Sequence, residues 1–136
     1  ALSNIPSADN KHTVASAALS RSGRIFVGVN VDHFAGACAE LVVLGAAASA
    51  GVLARDIDTI VAVRREPGED PELGQRGPIA VLNPCGRCRQ VLLDYNSDIN
   101  VVVRDGEGVV LTLKVGELLP FAYIWPDGNN AQVEER

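Results

Sequence analysis

A single α/β layer fold with a mixed sheet is predicted by three observations. Apolar runs of strand length alternate with two longer runs that read as helices, the turn-rich triplet Arg21-Ser22-Gly23 separates two strand-favouring segments, and Gly or Pro marks the main junctions. The 136 residues suit one domain, large enough to bury most of the surface that the unfolded chain exposes.

Residues 1–11 are polar, rich in Ser, Asn and Asp, and read as an irregular arm. Residues 14–20 and 24–30 flank the triplet and predict a β-hairpin. Residues 38–50 are apolar nearly all round, contain no Pro and stop at Gly51, which predicts a buried helix. The small residues from Gly45 to Ala50 allow close approach to the sheet or to a second subunit. Residues 57–63 read as the next strand, and a strand–helix–strand unit of this length implies a parallel pairing. Residues 64–78 are charged and hold three Pro and three Gly, so an exposed loop is expected. Residues 79–82 form a short apolar strand, after which Pro84 marks the start of a helix over 85–95 with Val91, Leu92 and Tyr95 at helical spacing. Residues 99–104 and 109–114 are strands about Asp105-Gly106-Glu107-Gly108, and residues 115–119 make a helical turn stopped by Pro120.

Composition narrows the function. Apolar residues make up 47% of the chain, yet no uninterrupted run approaches the roughly 20 that a spanning helix needs. The segment Ala1-Leu2-Ser3-Asn4-Ile5-Pro6 lacks a basic stretch and an apolar core, so no secretory signal is expected and the default location is cytoplasmic. Twelve basic residues against 17 acidic ones leave a net charge of −5 without a basic patch, which argues against nucleic acid as partner. The three cysteines, two of them in Cys85-Gly86-Arg87-Cys88, point to metal or redox chemistry rather than to a disulfide framework.

The chemistry lies in Cys38-Ala39-Glu40, opening the first helix, and Pro84-Cys85-Gly86-Arg87-Cys88, opening the second. Three thiolates suit Zn2+ and leave its fourth position open, as catalysis requires. Glu40 lies two residues from Cys38, and such a pair diverges in a regular helix, so Cys38 is expected at the cap. There the helix dipole favours thiolate. Three thiolates and one Zn2+ sum to −1, and Arg87, between two ligands, is the nearest compensating charge. In this reading zinc activates a water, Glu40 takes its proton, C4 of a cytosine ring is attacked, and Glu40 returns protons to N3 and to the leaving amine. A closed Cys3His structural zinc with His12 or His33 as fourth ligand is the alternative, and a redox Cys-x-x-Cys a second, but neither needs Glu40.

These residues resemble the cytidine deaminase superfamily, whose pattern is Cys/His-Ala-Glu followed by Pro-Cys-x-x-Cys. The resemblance covers nearly the whole chain after about residue 5, and within the superfamily it is greatest to the blasticidin-S deaminases. It is carried by Val14-Ala15-Ser16-Ala17-Ala18-Leu19, Gly23-Arg24-Ile25-Phe26, the stretch from Cys38 to Gly45, the stretch from Pro84 to Asp94, and Leu118-Leu119-Pro120. It implies one zinc-dependent deaminase domain over 1–136, a three-layer fold with a mixed five-stranded sheet and helices on both faces, and a homotetramer with sites completed by neighbours. The implied substrate is a small molecule, a free cytosine nucleoside or an analogue such as the antibiotic blasticidin S, with another aminated heterocycle as alternative.

The resemblance also implies that Phe26 lies against the base and that Asn30 binds the ribose. Asp32 stands where cytidine deaminases carry a ribose-binding Glu and the blasticidin enzymes an aromatic residue. Leu41 occupies a position where many cytidine deaminases have a charge-offsetting Arg, so that role passes to Arg87. Tyr123 and Trp125 match aromatic residues that cover the pocket, although a hydrophobic clasp for the tail would use them as well. Three departures stand beside the match. The family's first helix has no counterpart before residue 14, the 64–78 loop is longer than in the blasticidin enzymes, and the 32–38 loop is shorter. A polynucleotide editor is disfavoured by the acidic charge and by an aromatic content of 4%, and a non-catalytic zinc domain remains the third reading.

Overall fold

The structure, a computed structural model, describes residues 1–6, 8–68 and 76–124. After a 3-10 turn at Leu2–Asn4 come β1 (Val14–Ser20), β2 (Ile25–Val29), α1 (Ala39–Ser49), a 3-10 turn at Ala54–Asp56, β3 (Ile57–Pro67), β4 (Arg76–Leu82), α2 (Gly86–Tyr95), β5 (Asn100–Arg104), β6 (Val110–Lys114) and a last 3-10 turn at Val115–Leu118. The hairpin forms as expected, with Gly23 supplying the left-handed φ of +89° that its turn needs. Gly51 ends α1 in the same way at +85°. Among the described residues no helix is long and apolar enough to cross a membrane.

The α/β class and the mixed sheet hold, with two differences of detail. The sheet has six strands rather than five, running β2-β1-β3-β5-β6 with β4 also paired to β3. All six were expected as strand segments in the sequence, while the count of five came from the resemblance; what differs is that two of them reach into the segment expected to be a loop. Residues 64–67 extend β3 and residues 76–78 begin β4, paired antiparallel from Ala62↔Leu82 to Pro67↔Arg76; residues 69–75 lie outside the described ones. Charge misled the expectation. Arg64 and Arg104 reach Glu66 at 3.5 and 3.7 Å, a network that a solvated hairpin tolerates while its backbone continues the ladder.

The second difference concerns the layers. Ser16, Gly28 and Ala62 share one face of the sheet with Ala18, Phe26, Ile60, Val101 and Leu113. That face packs against Val43 and Ala47 of α1 and against Leu92 and Leu93 of α2 in a single core. Both α-helices of the described residues therefore cover the same face, whereas the resemblance implies helices on both faces. On the other face Leu19, Ile25, Val27 and Ile79 remain 39–70% exposed. Gly28 is where α1 comes closest, since a Cβ there would lie 2.8 Å from the Val43 backbone nitrogen.

The pairing expected from the β2–α1–β3 unit is also corrected. β2 and β3 run in the same direction, but β1 lies between them and is antiparallel to both, so the parallel pair is β3 with β5. The hairpin leaves one edge of β1 open, and β3 takes it.

On the far edge of β3, β5 occupies Thr59 to Val61 and β4 takes over from Ala62, so the two strands meet end to end. The Asn83 side chain joins them, its Oδ1 accepting the Arg104 N–H at 2.8 Å and its Nδ2 donating to the Arg104 carbonyl at 2.9 Å. Asn96, just past α2, is buried, and its Nδ2 donates to the carbonyls of Ala54 and Ile57 at 3.1 and 3.0 Å. Asn96→Ala removes both bonds, and chemical denaturation is expected to show a loss of about 1–3 kcal/mol.

Candidate active site

Cys38 and Cys85 are the N-cap residues of α1 and α2. Each has extended backbone dihedrals, −63°/154° and −69°/168°, and neither sulfur is used in a side-chain cap. The cap position is what lets a Cys-x-Glu pair act together, because the Cys38 side chain leaves the helix end instead of following its spiral. Cys88 follows in the first turn of α2 and is fully buried. The Cys38 and Cys85 sulfurs lie 3.8 Å apart, and all three lie within 4.8 Å of one another. Two thiolates at the roughly 2.3 Å zinc–sulfur distance in tetrahedral geometry stand about 3.8 Å apart, so this donor set fits zinc. Neither histidine joins the group. His12 Nδ1 is held by Asp9 at 3.2–3.3 Å, and His33 Nδ1 accepts the Ala35 N–H at 3.0 Å.

The thiols compete for protons. Burial pushes Cys88 far up, and the Glu40 charge and the two neighbouring thiols push the same way. Burial likewise raises Cys38, against a hydrogen bond from Cys88. At Cys85 burial also acts upward, but the Cys88 N–H and the other two thiols outweigh it and draw the group below its ordinary value. Three sulfurs and a carboxylate crowded in this way are a site made for a cation.

Glu40, in the first turn of α1 and only 6% exposed, lines the same open cleft of about 370 Å³ as Cys38 and Cys85. Asn30, Asp32, His33 and Asn83 also line it. Asn30 is partly committed elsewhere: its Oδ1 accepts the Val14 N–H and its Nδ2 donates to the Lys11 carbonyl, both at 3.0 Å, which closes the start of the β1–β2 hairpin. Phe26 does not reach the cleft; it packs on the core under the Arg24 guanidinium, 5.0 Å from its ring. Arg87 is exposed beside the cleft and donates to the Gly36 carbonyl at 3.3 Å. Tyr123 is 66% exposed and away from the cleft, its carbonyl accepting from Gln90 Nε2 at 2.9 Å. Trp125 lies outside the described residues.

Two supports escaped the sequence reading. Asn83, two residues before Cys85, ties this loop to β5. Arg89 donates from Nε to the Pro84 carbonyl and from Nη1 to the Leu118 carbonyl, both at 2.8 Å, bracing the cysteine turn against the last 3-10 turn. Asn before Pro-Cys and Arg after Cys are the only sequence traces of these braces, and neither residue type announces its partner.

A buried carboxylate and the Cys38 and Cys85 sulfurs on one open cleft, with the buried Cys88 completing the sulfur cluster, form the arrangement that metal-assisted hydrolysis requires. No family model matches the chain. It is 35% identical to a blasticidin-S deaminase of Bacillus cereus over 118 residues, 85% of this chain and 79% of that protein. It is 31% identical to a cytidine deaminase of Mycobacterium tuberculosis over 117 residues, 84% of this chain and 74% of that one. The crystal structure of cytidine deaminase from Mycobacterium tuberculosis superposes with a TM-score of 0.62 at 29% identity, covering 90% of this chain and 88% of that chain. The chain belongs to the cytidine deaminase superfamily of hydrolytic deaminases.

Proposed function

We propose that residues 1–136 form one zinc-dependent aminohydrolase domain that removes the 4-amino group of a free cytosine nucleoside or nucleoside analogue. Cys38, Cys85 and Cys88 would hold the ion. The observation that carries this reading is Glu40, buried in the first turn of α1 on the cleft that Cys38 and Cys85 line. Zinc bound there would supply the Lewis acidity that makes water nucleophilic near neutral pH. Glu40 accepts one proton of the attacking water as its oxygen bonds to C4 and passes it to N3, then takes the second from the new C4 hydroxyl and gives it to the amine, so that the C4–N bond breaks, ammonia leaves and a carbonyl remains. Arg87 offsets the thiolate charge from outside the ligand set.

The cleft supports a free nucleoside. Among the described residues the charged side chains lining it are Asp32 and Glu40, with no Lys or Arg, which suits an uncharged or cationic ligand over a phosphorylated one. In this reading the resemblance assigns Asn30 and Asp32 to the sugar, and Tyr123 and Trp125 to covering the bound substrate in the assembled enzyme. A homotetramer is the proposed assembly, since Gly45, Ala46, Ala48 and Ser49 leave the outer side of α1 exposed and built of small residues; light scattering at four times the chain mass checks it. A cytoplasmic location goes with a site that needs reduced thiols.

The test is an ultraviolet assay with cytidine, deoxycytidine and blasticidin S, following loss of the 4-amino chromophore. Turnover of any of them supports the reading and names the substrate; a zinc-loaded protein inert towards all three overturns it. Arg89→Ala, which removes the brace behind Cys85, is expected to weaken zinc retention about 10- to 100-fold in chelator competition.

A further inference from the structure

We propose that His33 is a substrate-binding residue whose Nε2–H donates to an oxygen of the sugar, or sugar-like, part of the nucleoside. The proposal rests on the deaminase reading above and adds a contact to it.

The loop between β2 and α1 is held at every turn. The Val31 N–H donates to the Ala37 carbonyl at 3.0 Å and the Gly36 N–H to the His33 carbonyl at 2.9 Å. Arg87 takes the Gly36 carbonyl from outside at 3.3 Å. A side chain at Gly36 would strike the Val31 carbonyl oxygen, so only glycine permits this path. The outcome is a rigid lip presenting His33 on the cleft, its ring packed on Phe34 with centroids 4.4 Å apart.

The imidazole is oriented and its tautomer chosen. A neutral imidazole has one acceptor nitrogen and one N–H. The Ala35 N–H donates to Nδ1 at 3.0 Å, which leaves the proton on Nε2. No hydrogen bond to Nε2 is made within the described residues, while Asn30 and Asn83, the amides that share the cleft, already donate to backbone carbonyls. The neighbouring Asp32 carboxylate can only accept. A donor and an acceptor on consecutive residues of one cleft wall match a hydroxyl, which offers both.

Depth decides which part of the ligand they meet. Glu40 is buried beside the sulfurs, whereas Asp32 and His33 are exposed at the rim. A base placed with its amino carbon at Glu40 therefore points its sugar outward, towards the His33 lip.

Steady-state kinetics of the zinc-loaded enzyme, with whichever of cytidine, deoxycytidine and blasticidin S it turns over, test this directly. His33→Ala is expected to raise KM about 10-fold, the order of one lost hydrogen bond, with kcat and zinc content unchanged. His33→Gln, which restores a side-chain N–H donor, should recover most of the loss, and His33→Phe, which keeps the ring stack without a donor, should not. Rescue by Phe rather than Gln would mean that the ring only packs the loop, and an unchanged KM in His33→Ala would dispense with the contact; either result overturns the assignment while leaving the deaminase reading intact. Imidazole nitrogen resonances give a second readout, with Nδ1 expected unprotonated and Nε2 shifted by added uridine. A wild-type enzyme that turns over none of the three nucleosides and shows no Nε2 shift overturns both.

Discussion

Replacing Glu40 by Gln is expected to lower kcat about 10⁴-fold while leaving zinc in place. One positioned acid or base contributes roughly 10²–10⁴ to a rate, and Glu40 serves in more than one proton transfer, which puts its loss at the upper end. The amide keeps the shape of a side chain that is only 6% exposed, so the core of α1 is undisturbed. It also removes the negative charge that raises the Cys38 and Cys88 thiols. Metal retention should thus be equal or better, a result that separates loss of proton transfer from loss of the site. The measurement is single-turnover deamination beside zinc content. Near-normal turnover in Glu40→Gln would remove the carboxylate from the mechanism and with it the main support for the proposed function.

The other large effect is expected from Cys88→Ala. Cys88 is the fully buried member of the thiol cluster, and removing it takes away a ligand rather than a brace. Zinc affinity should fall by more than the roughly 10- to 100-fold that outer partners contribute, and activity should fall with it, without recovery in excess zinc. The same chemistry sets a pH dependence. Burial holds Cys38 and Cys88 above the ordinary thiol range, so both carry protons near neutrality and the ion must displace them. Apparent affinity therefore rises with pH and falls as the medium is acidified, with the lowered Cys85 contributing least to the slope. Chelator competition between pH 6 and 8 measures it. An affinity that does not change over this range would mean that the thiols are not the ligands.

Much of the site could be read before any coordinates. Cys-x-Glu serves two roles only if the cysteine caps a helix, and Cys38 is that cap. Pro84 announced a second cap at Cys85, and Gly51 a helix end. These are short-range facts, because capping, turn formation and the choice of thiolate for zinc depend on residues within a turn of one another.

What escaped the sequence depends on partners distant along the chain. The charged residues 64–67 looked like loop because side-chain polarity reports solvent, whereas strand pairing is made by backbone groups, and β4 completes that ladder. The parallel partner of β3 is β5 rather than β2, because helix-crossover length does not say which edge is open. Phe26 has the residue type of a base-stacking ring, yet strand register turns it into the core. Asn30 has its amide oxygen allotted to the Val14 N–H, 16 residues away. The sequence by itself determined the chemistry: which residues could bind a metal, move a proton and end a helix. Tertiary structure decided the layers, the register and the orientation of each donor, because those depend on which backbone groups find one another after the chain has folded.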